Sequence, residues 1–544
     1  MATPRPVNLH TFDPYLDPLL TRRVPTLAAY RERLTDFYHW ASTEVDPQAN
    51  YTDRYAPPGL ETYDRNGEVV NRIVTNPWYE EQHREAYRRG IIGLPYAEGA
   101  PHLLTFTMGY LLSQADISLD CPVTLTGSVA HVLAAHAPAD VRERYLYDVI
   151  RMDGLSKTGG TWATEQHGGS DVGATTTRAV RNGEHFALHG LKWFTSNANS
   201  GLAVATARPD GAPSGSAGLG LYLVASHLDD GRPNYYRIRR LKDKLGTKGL
   251  PTGEIDLLGA EAVEIAPPPH GFKLMMEALE YSRVHNAVGS AGVQRRALRE
   301  ALAWTNSRRA FGRLLCEYPM VQDELLRLRV EFEAGALLAF EAAITFDEVQ
   351  KNPQRRTWLR LVTALAKYLT AEYAIQSSRA ALELIGGNGY TSDFPVARLL
   401  RDAQVLTIWE GPANIQALEL LRLLSPQHHG CQLYHARLEN IAEHIPASQE
   451  RLRIALQKRM YDDGEALAIS LRDPQNSQRF ARKLLHRMSE TLAFALLCEA
   501  AARIEDHRQT GSAWRYFEHI EPQSFGTEDE SARHAVLQAL AEEP

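Results

Sequence analysis

The chain contains 544 residues, which at about 150 residues per domain predicts three or four domains. Hydrophobic residues make up 44% and charged residues 23%, a balance typical of a globular protein and not of a disordered or fibrous one. The formal net charge of −7 gives no overall attraction to nucleic acid or to an anionic membrane. Four widely spaced cysteines exclude a disulfide scaffold and a local zinc site, so we expect a reducing, cytoplasmic location.

Two regions of the sequence bear on targeting and membrane association. Met1–Asp17 contains early prolines and no apolar stretch of the secretory type, so we expect no secretory signal. Leu492–Ala502 is apolar but short and interrupted by Glu499, so we expect no membrane partner.

The first half of the chain is predicted to contain two domains. Residues 1–155 are expected to form an N-terminal helical domain, with the clearest helices at Leu103–Leu119 and Val123–Ala135. Residues 156–268 alternate short apolar segments with turn signals, which predicts a central, mainly antiparallel β domain. The expected strands are Phe186–Phe194, Leu202–Ala207, Leu219–Ala225 and Glu254–Leu258.

Helical periodicity returns after the three prolines at 267–269. Residues 269–424 are predicted to form a helical bundle domain, and residues 425–544 an additional C-terminal helical domain whose strongest helix is Arg479–Ile504. The other expected helices are Phe272–Asn306, Met320–Val349, Trp358–Ile385 and Ala413–Leu424. The predicted fold class is therefore α+β, mostly α.

Two segments of the β domain are candidate ligand sites. Thr164–Asp171 combines hydroxyls with backbone N–H groups around glycines, which can bind a carbonyl-rich ring or a phosphate. The same residues are also typical of a turn between domains. Lys192–Asn197 places aromatic rings beside hydroxyls, which suits a flat heteroaromatic cofactor. Alternatively, it is a strand end with Phe194 in the core.

Two further candidates lie in the helical bundle. Glu410 follows Leu406, Ile408 and Trp409, and desolvation by these side chains would raise its pKa toward that of a useful general base. Thr407 and Glu410 also have capping-box spacing, which would make Glu410 only an N-terminal helix residue. Ser307–Gly312 can present a cation to phosphate or form a solvated helix end. No histidine pattern predicts a metal site, and we expect none.

Taken in order, these segments resemble the acyl-CoA dehydrogenase flavoprotein family over about residues 90–424. The matching strings are T-E-x-x-x-G-S-D at Thr164–Asp171, K-W-F-T-S-N at Lys192–Asn197, R-R-A-F-G at Arg308–Gly312, and G-G-N-G-Y…R-D-A…I-W-E-G over Gly386–Gly411. Within the family the chain is most similar to the AidB-like branch. That similarity rests on L-K-D-K-L-G at 241–246, on Ser282-Arg283 with the residues that follow, and on the extra C-terminal block.

The resemblance implies an acyl-CoA dehydrogenase-like fold with FAD between the β domain and the following helical domain. Thr164 would bond to the pyrimidine edge of the flavin, Ser170 would lie near the pyrophosphate, and Ser196 would approach N5. Phe194 would stand where many members have a tryptophan. The resemblance also assigns to the cofactor Thr195, Arg308, Phe311, Gly386, Gly387, Trp409 and Asn414.

The resemblance further implies a shared site and a substrate. Arg308 and Phe311 would reach the cofactor of a neighbouring subunit, so we expect a homo-oligomer, a tetramer by resemblance. Arg283 would contact an acyl-CoA-type substrate. Glu410 matches the base that removes the proton α to the thioester, while a hydride passes from the β carbon to flavin N5. The implied activity is that of an FAD-dependent, acyl-CoA dehydrogenase-like oxidoreductase.

An alternative function follows from the AidB-like branch: a flavoprotein that binds duplex DNA in the alkylation-damage response, with weak dehydrogenase activity. Arg479, Arg482, Lys483 and Arg487 form a basic stripe on one face of a predicted helix, which can meet phosphates or can be a solvated face. Residues 425–544 as a whole carry 14 basic against 18 acidic residues, the reverse of what DNA binding requires.

Overall fold

The structure, a computed structural model, describes residues 12–472, 477–504, 507–521 and 529–541. These residues form two compact units. One unit is Trp40–His285, and the other combines the chain before Trp40 with the chain from Asn286 onward. The predicted division into four domains stays a prediction.

The N-terminal region is mainly helical, as expected, but it also contains a β-hairpin that the sequence did not predict. Its elements are α1 (Leu16–Arg23), α2 (Arg31–Trp40), α3 (Asp46–Tyr55), β1 (Gly59–Tyr63), β2 (Val69–Val74), α4 (Pro77–Arg88), α5 (Leu94–Ala97), α6 (His102–Ser113), α7 (Ile117–His136) and α8 (Ala139–Ile150). The antiparallel hairpin β1–β2 packs Leu60 and Ile73 against the core of the β domain.

The predicted helix Leu103–Leu119 is interrupted between α6 and α7. The break occurs because the Asp116 side chain accepts a hydrogen bond from Ser118 N at 2.7 Å and caps the start of α7. Among the described residues, α7 alone is long and apolar enough to cross a membrane, but 94% of its apolar window is buried inside the protein. These are the features of a core helix.

The β domain is a seven-stranded sheet that closes on itself. Its strands are β3 (Gly159–Trp162), β4 (Arg178–Asn182), β5 (His185–Ser196), β6 (Leu202–Pro209), β7 (Gly220–Ala225), β8 (Tyr236–Leu241) and β9 (Thr252–Ala266). The strand order is β3-β6-β4-β5-β9-β7, β8 pairs with β9, and an additional β6–β7 pairing closes the ring. Most pairs are antiparallel, and β6 pairs in parallel with β3 and β4. Trp162, Tyr222 and Ile255 lie in the buried core.

The predicted bundle helices are confirmed to within a few residues. The elements are α9 (His270–Thr305), β10 (Arg309–Ala310), β11 (Arg313–Leu314), α10 (Pro319–Lys351), α11 (Arg356–Ile385), α12 (Pro395–Leu406) and α13 (Ala413–Leu424). The last described helices are α14 (Gly430–Glu443), α15 (Glu450–Leu471), α16 (Ser477–Ile504), α17 (His507–Ile520) and α18 (Glu530–Ala541). Helix α9 is continuous over its 36 residues.

Buried charges join the C-terminal helices to the bundle. Glu341 on α10 lies 2.6 Å from Arg23 on α1 and 3.0 Å from Arg437 on α14, and Arg437 also contacts Glu499 on α16 at 2.9 Å. Burial alone would raise the pKa of Glu341, but the two guanidinium groups outweigh it and lower this pKa to about 2. The extra helices are therefore packed into the same compact unit as the bundle.

Candidate functional site

A β-bulge near the end of β5 exposes the aromatic pair of the second motif. Lys192 pairs with Ile255 and Thr195 with Gly253, so Trp193 and Phe194 together stand opposite one residue of β9. The Phe194 side chain is consequently 56% exposed, and the alternative that places it in the core is wrong. The ammonium of Lys242 lies 3.5 Å from the Trp193 ring centroid and 4.8 Å from that of Phe194.

The first and second motifs are joined by direct hydrogen bonds. Trp193 N donates to Thr164 O at 3.0 Å. Next to this bond, Glu165 Oε1 accepts from Lys192 Nζ at 3.0 Å, and the same carboxylate accepts from Thr176 and Thr177 through both their amides and their hydroxyls. These contacts fix the turn that begins at Thr164 relative to the end of β5.

The electrostatics of this buried pair hold the Glu165 carboxylate in its charged form. Desolvation would raise the pKa of Glu165, but Lys192 and the threonine donors outweigh it and lower this pKa to about 2. Burial lowers the pKa of Lys192, and Glu165 opposes that shift. The ion pair is a structural support for the predicted site, because both side chains point into the protein interior.

The segment Thr164–Asp171 is a tight turn, in line with its composition. Glu165 and Gly168 bond to each other through their backbones, and a Cβ on Gly169 would lie 3.3–3.4 Å from the Thr164 side chain. Glycine at 169 therefore lets the turn fold closely over Thr164. Ser170 is exposed at the end of this turn, where its hydroxyl is accessible to a ligand.

Thr195 and Ser196 point their hydroxyls to different partners. Thr195 Oγ1 is buried and donates to Gly253 O at 2.7 Å. The prediction that Thr195 contacts the cofactor therefore applies to its backbone and not to its hydroxyl. Ser196 is partly exposed, and its Oγ lies 3.4 Å from Thr252 Oγ1.

Glu410 lies in a turn between α12 and α13 with a left-handed backbone. Its φ is +58°, and the following Gly411 has φ +95°. Glutamate adopts this region only at a cost in backbone strain, so the surrounding contacts must hold Glu410 there. Gln416 Nε2 donates to Glu410 O at 3.1 Å and to Gly411 O at 3.0 Å, and Lys367 Nζ also donates to Gly411 O at 3.0 Å.

The capping-box alternative for Glu410 is wrong. Thr407 is the C-terminal cap of α12, and its hydroxyl donates backward to Gln404 O at 3.0 Å. Helix α13 begins three residues after Glu410, at Ala413, without a side-chain cap. Thr407 and Glu410 have the spacing of a capping box, but Gly411 and Pro412 separate Glu410 from the first residue of α13.

The indole of Trp409 anchors the same turn from the other side. Trp409 Nε1 donates to Asn286 Oδ1 at 2.9 Å, and Asn286 Nδ2 donates to Leu406 O at 3.2 Å. Trp409 and Glu410 are half-buried, whereas Ile408 is 62% exposed. One asparagine on α9 thus links the end of α12 to the residue before the glutamate.

Two predicted glycines lie at the end of α11 in open space. Gly386 has φ +73°, and a Cβ at Gly386 or Gly387 would meet no atom within 4 Å. The open backbone can therefore be approached closely by a ligand. Nearby, Glu383 is exposed and pairs with Arg379 at 3.2 Å.

Arg308 and Phe311 belong to a small hairpin after α9. Phe311 and Gly312 form its two-residue turn, both with positive φ, between β10 and β11. The Phe311 side chain is 97% exposed, and Tyr318 Oη supports the turn by donating to Ala310 O at 2.7 Å. Arg308 is also exposed, just beyond the end of α9.

The remaining predicted residues lie on helices. Asn414 is exposed in the first turn of α13, and Arg283 is partly exposed on α9. Within the basic stripe on α16, Arg487 pairs with Asp463 at 2.7 Å and Arg482 with Glu372 at 3.5 Å. These ion pairs reduce the positive charge that the stripe presents.

The residues present fit the FAD that the resemblance implies. Hydroxyls at Thr164, Ser170 and Ser196 are hydrogen-bonding partners for ring carbonyls and phosphate, and the exposed Phe194 offers an aromatic wall. The close turn at Gly169 is a cradle that a Cβ would crowd.

Sequence reasoning missed several supporting residues. Lys192 and Lys242 lie inside the matching strings, but the contact of Lys242 with the rings of Trp193 and Phe194 is visible only in the fold. Lys367, Gln416 and Asn286 carry no local signal, since they reach the Glu410 turn from other helices.

Comparison with known proteins matches three regions of the chain to family models. Residues 3–152 match the adaptive response protein AidB N-terminal domain, 160–259 the acyl-CoA dehydrogenase middle domain and 269–424 the acyl-CoA dehydrogenase C-terminal domain. The Caenorhabditis elegans acyl-CoA dehydrogenase family member 11 is 32% identical over 82% of this chain and 75% of its own length. The putative acyl-CoA dehydrogenase AidB of Escherichia coli is 29% identical over 68% of this chain and 70% of its own length.

Solved structures agree with the sequence comparison. The crystal structure of C. elegans ACDH-11 in complex with C11-CoA has a TM-score of 0.88 and 26% identity, covering 96% of this chain and 95% of that one. The apo form of Bd2924 has a TM-score of 0.81 and 30% identity, covering 90% and 97%. The predicted α+β, mostly α fold is confirmed. This chain belongs to the acyl-CoA dehydrogenase family of flavin-dependent oxidoreductases, in its AidB-like branch.

Proposed function

We propose that the chain is an FAD-dependent acyl-CoA dehydrogenase in which Glu410 removes the proton α to the thioester carbonyl. The observation that carries this proposal is the left-handed backbone of Glu410 in a turn tied down by Gln416 and Lys367. A glutamate whose strained backbone is held by contacts from neighbouring helices is typical of a functional residue, because such strain persists only where the surrounding structure fixes it.

The reaction breaks one bond at each of two carbons of the acyl chain. Glu410 takes the proton from the α carbon, the hydrogen on the β carbon leaves with its electron pair, and a carbon–carbon double bond forms. FAD, when bound, supplies the two-electron acceptor for that hydride. The protein residues supply the base and orient the acyl chain.

The β domain supplies the second group of residues. Thr164, Ser170 and Ser196 would bind FAD through their hydroxyls, with Phe194 beside the flavin. Arg308 and Phe311 would serve the cofactor of a partner subunit, which explains why an aromatic ring is left almost fully exposed on a hairpin tip.

The proposed substrate is an acyl-CoA held in part by Arg283. The ACDH-11 structure was solved with C11-CoA, so a test panel should centre on straight chains of that length and extend to shorter and branched ones.

The test separates proton removal from oxidation. Purified protein is incubated with acyl-CoA in D₂O without an electron acceptor, and deuterium at the α carbon is measured by mass spectrometry. We expect exchange in the wild type and a loss of about 1,000-fold in Glu410→Gln, with FAD content unchanged. Glu383→Gln is the matched control, since it removes an exposed carboxylate on α11. Unchanged exchange in Glu410→Gln contradicts the assignment of the base.

A further inference from the structure

Three polar side chains form a line in the β domain that ends at Ser196. Lys244 Nζ donates to Thr252 Oγ1 at 3.1 Å and to Leu250 O at 2.7 Å. Thr252 Oγ1 in turn lies 3.4 Å from Ser196 Oγ. Thr252 is the first residue of β9, Ser196 is the last of β5, and the two are cross-strand partners in register.

The direction of this line follows from the chemistry of its first member. An ammonium group can only donate, so Thr252 Oγ1 accepts from Lys244. The buried Thr252 hydroxyl then has its own proton to place, and Ser196 Oγ is the acceptor that the described residues offer it. The reverse direction would give Thr252 two donors and leave its own buried proton without an acceptor, which is unfavourable.

Ser196 is consequently left with its proton pointing away from Thr252. Its side chain is partly exposed, so the proton points toward whatever occupies the space beside the end of β5. With one lone pair of Ser196 Oγ accepting from Thr252, the Ser196 proton is free to be donated outward.

We propose that Lys244 is a positioning residue that, through Thr252, commits the Ser196 hydroxyl to donating to the bound flavin. This inference rests on the proposed function, which places the flavin beside Ser196. A committed donor favours the flavin state with more negative charge, which is the reduced one, and therefore raises the reduction potential.

The test measures the flavin midpoint potential of the FAD-loaded full chain against reference dyes. Lys244→Met removes the first donor, and Thr252→Val removes the hydroxyl while keeping size and Lys244. We expect both variants to lower the potential by a similar amount, and the double variant to lower it no further, since both break one chain of hydrogen bonds. Thr252→Ser keeps the hydroxyl and should keep the wild-type potential. Lys248→Met, in the same loop, is the matched control.

Kinetics give a second readout. Flavin reduction by acyl-CoA should slow by about tenfold in kcat in Lys244→Met and Thr252→Val, with KM within about twofold. This split distinguishes positioning of the hydroxyl from loss of substrate binding.

Each negative outcome has a distinct meaning. If Ser196→Ala lowers the potential but Lys244→Met and Thr252→Val do not, the role of Lys244 is overturned while the proposed FAD site stands. If additive losses are found in the double variant, the two residues act separately and the chain of bonds is refuted. If the purified wild type carries no FAD, the proposed function fails first, and the role of Lys244 falls with it.

Discussion

Lys192 and Glu165 form an ion pair in the interior of the β domain, with Nζ 3.0 Å from Oε1 and both side chains almost completely buried. Removing one partner leaves an uncompensated buried charge, so Lys192→Met should lower the free energy of unfolding by about 3 kcal/mol. The double variant Glu165→Gln/Lys192→Met should lose less free energy of unfolding than the two single variants lose together. Chemical denaturation of all three variants checks this, and strict additivity would show that the pair is not coupled.

The acid stability of the protein should depend on the same carboxylate. Glu165 has a pKa of about 2 in the folded protein against an ordinary value of 4.5, so its contribution is complete above about pH 4.5 and is lost as the pH falls toward 2. Glu341 behaves in the same way. The free energy of unfolding is measured between pH 6 and 2, at about every half pH unit. It should fall less steeply toward low pH in Glu165→Gln than in the wild type. An unchanged slope would mean that Glu165 has an ordinary pKa.

Replacing Glu410 by glycine should separate stability from activity. Glycine adopts the left-handed backbone of this turn without strain, so Glu410→Gly should raise the free energy of unfolding by up to about 1 kcal/mol while abolishing α-proton exchange. The neighbouring Gly411→Ala should instead lower the free energy of unfolding, because its Cβ would lie 3.0 Å from Gln416 Nε2 and from Ile415 Cγ2. A Glu410→Gly variant that is strongly destabilised would contradict the proposed strain.

Trp409 should act on activity through the position of the glutamate. Trp409→Phe removes the indole N–H that donates to Asn286 at 2.9 Å but keeps an aromatic ring in the turn. We expect kcat to fall about tenfold with KM nearly unchanged, measured by steady-state oxidation of acyl-CoA. Trp304→Phe, another partly buried tryptophan of the same unit, serves as the control. An equal fall in kcat in both variants would show that Trp409 has no specific role in positioning Glu410.

The hairpin tip should matter for assembly. Phe311→Asn removes the 97% exposed ring. Asparagine tolerates the positive φ of this position, so the hairpin itself should still form. We expect a lower FAD content and a shift toward smaller oligomers, measured by absorbance and by light scattering after size exclusion. Tyr461→Ser removes a comparably exposed ring from α15 and should change neither. An oligomer that is unaffected by Phe311→Asn would place the interface elsewhere.

The long helices could be predicted from sequence because each buries a broad apolar stripe. The predicted Ala413–Leu424 coincides with α13, and Trp358–Ile385 differs from α11 by two residues. The break between α6 and α7 was missed because both helices are apolar all round, which hides a three-residue connection. The hairpin β1–β2 was missed because its short strands are largely exposed.

The candidate site likewise contains residues that local sequence patterns predict and residues that they do not. Local strings predict Glu410 and Ser196 as site residues, but the exposure of Phe194 depends on the register between β5 and β9, which no local pattern encodes. Likewise, Lys367 reaches the Glu410 turn from a helix 44 residues earlier in the chain. Such long-range supports are decided by packing and become visible only in the folded protein.

Strand β9 has a consequence for how this protein can change during evolution. It begins at Thr252 beside the predicted flavin contact, pairs with β5, β7 and β8 along its 15 residues, and ends at Ala266 just before α9. Deleting one residue within it would turn every following side chain to the opposite face of the sheet. Insertions and deletions among relatives should therefore collect in the exposed connection at residues 210–216 between β6 and β7, and β9 should keep a constant length.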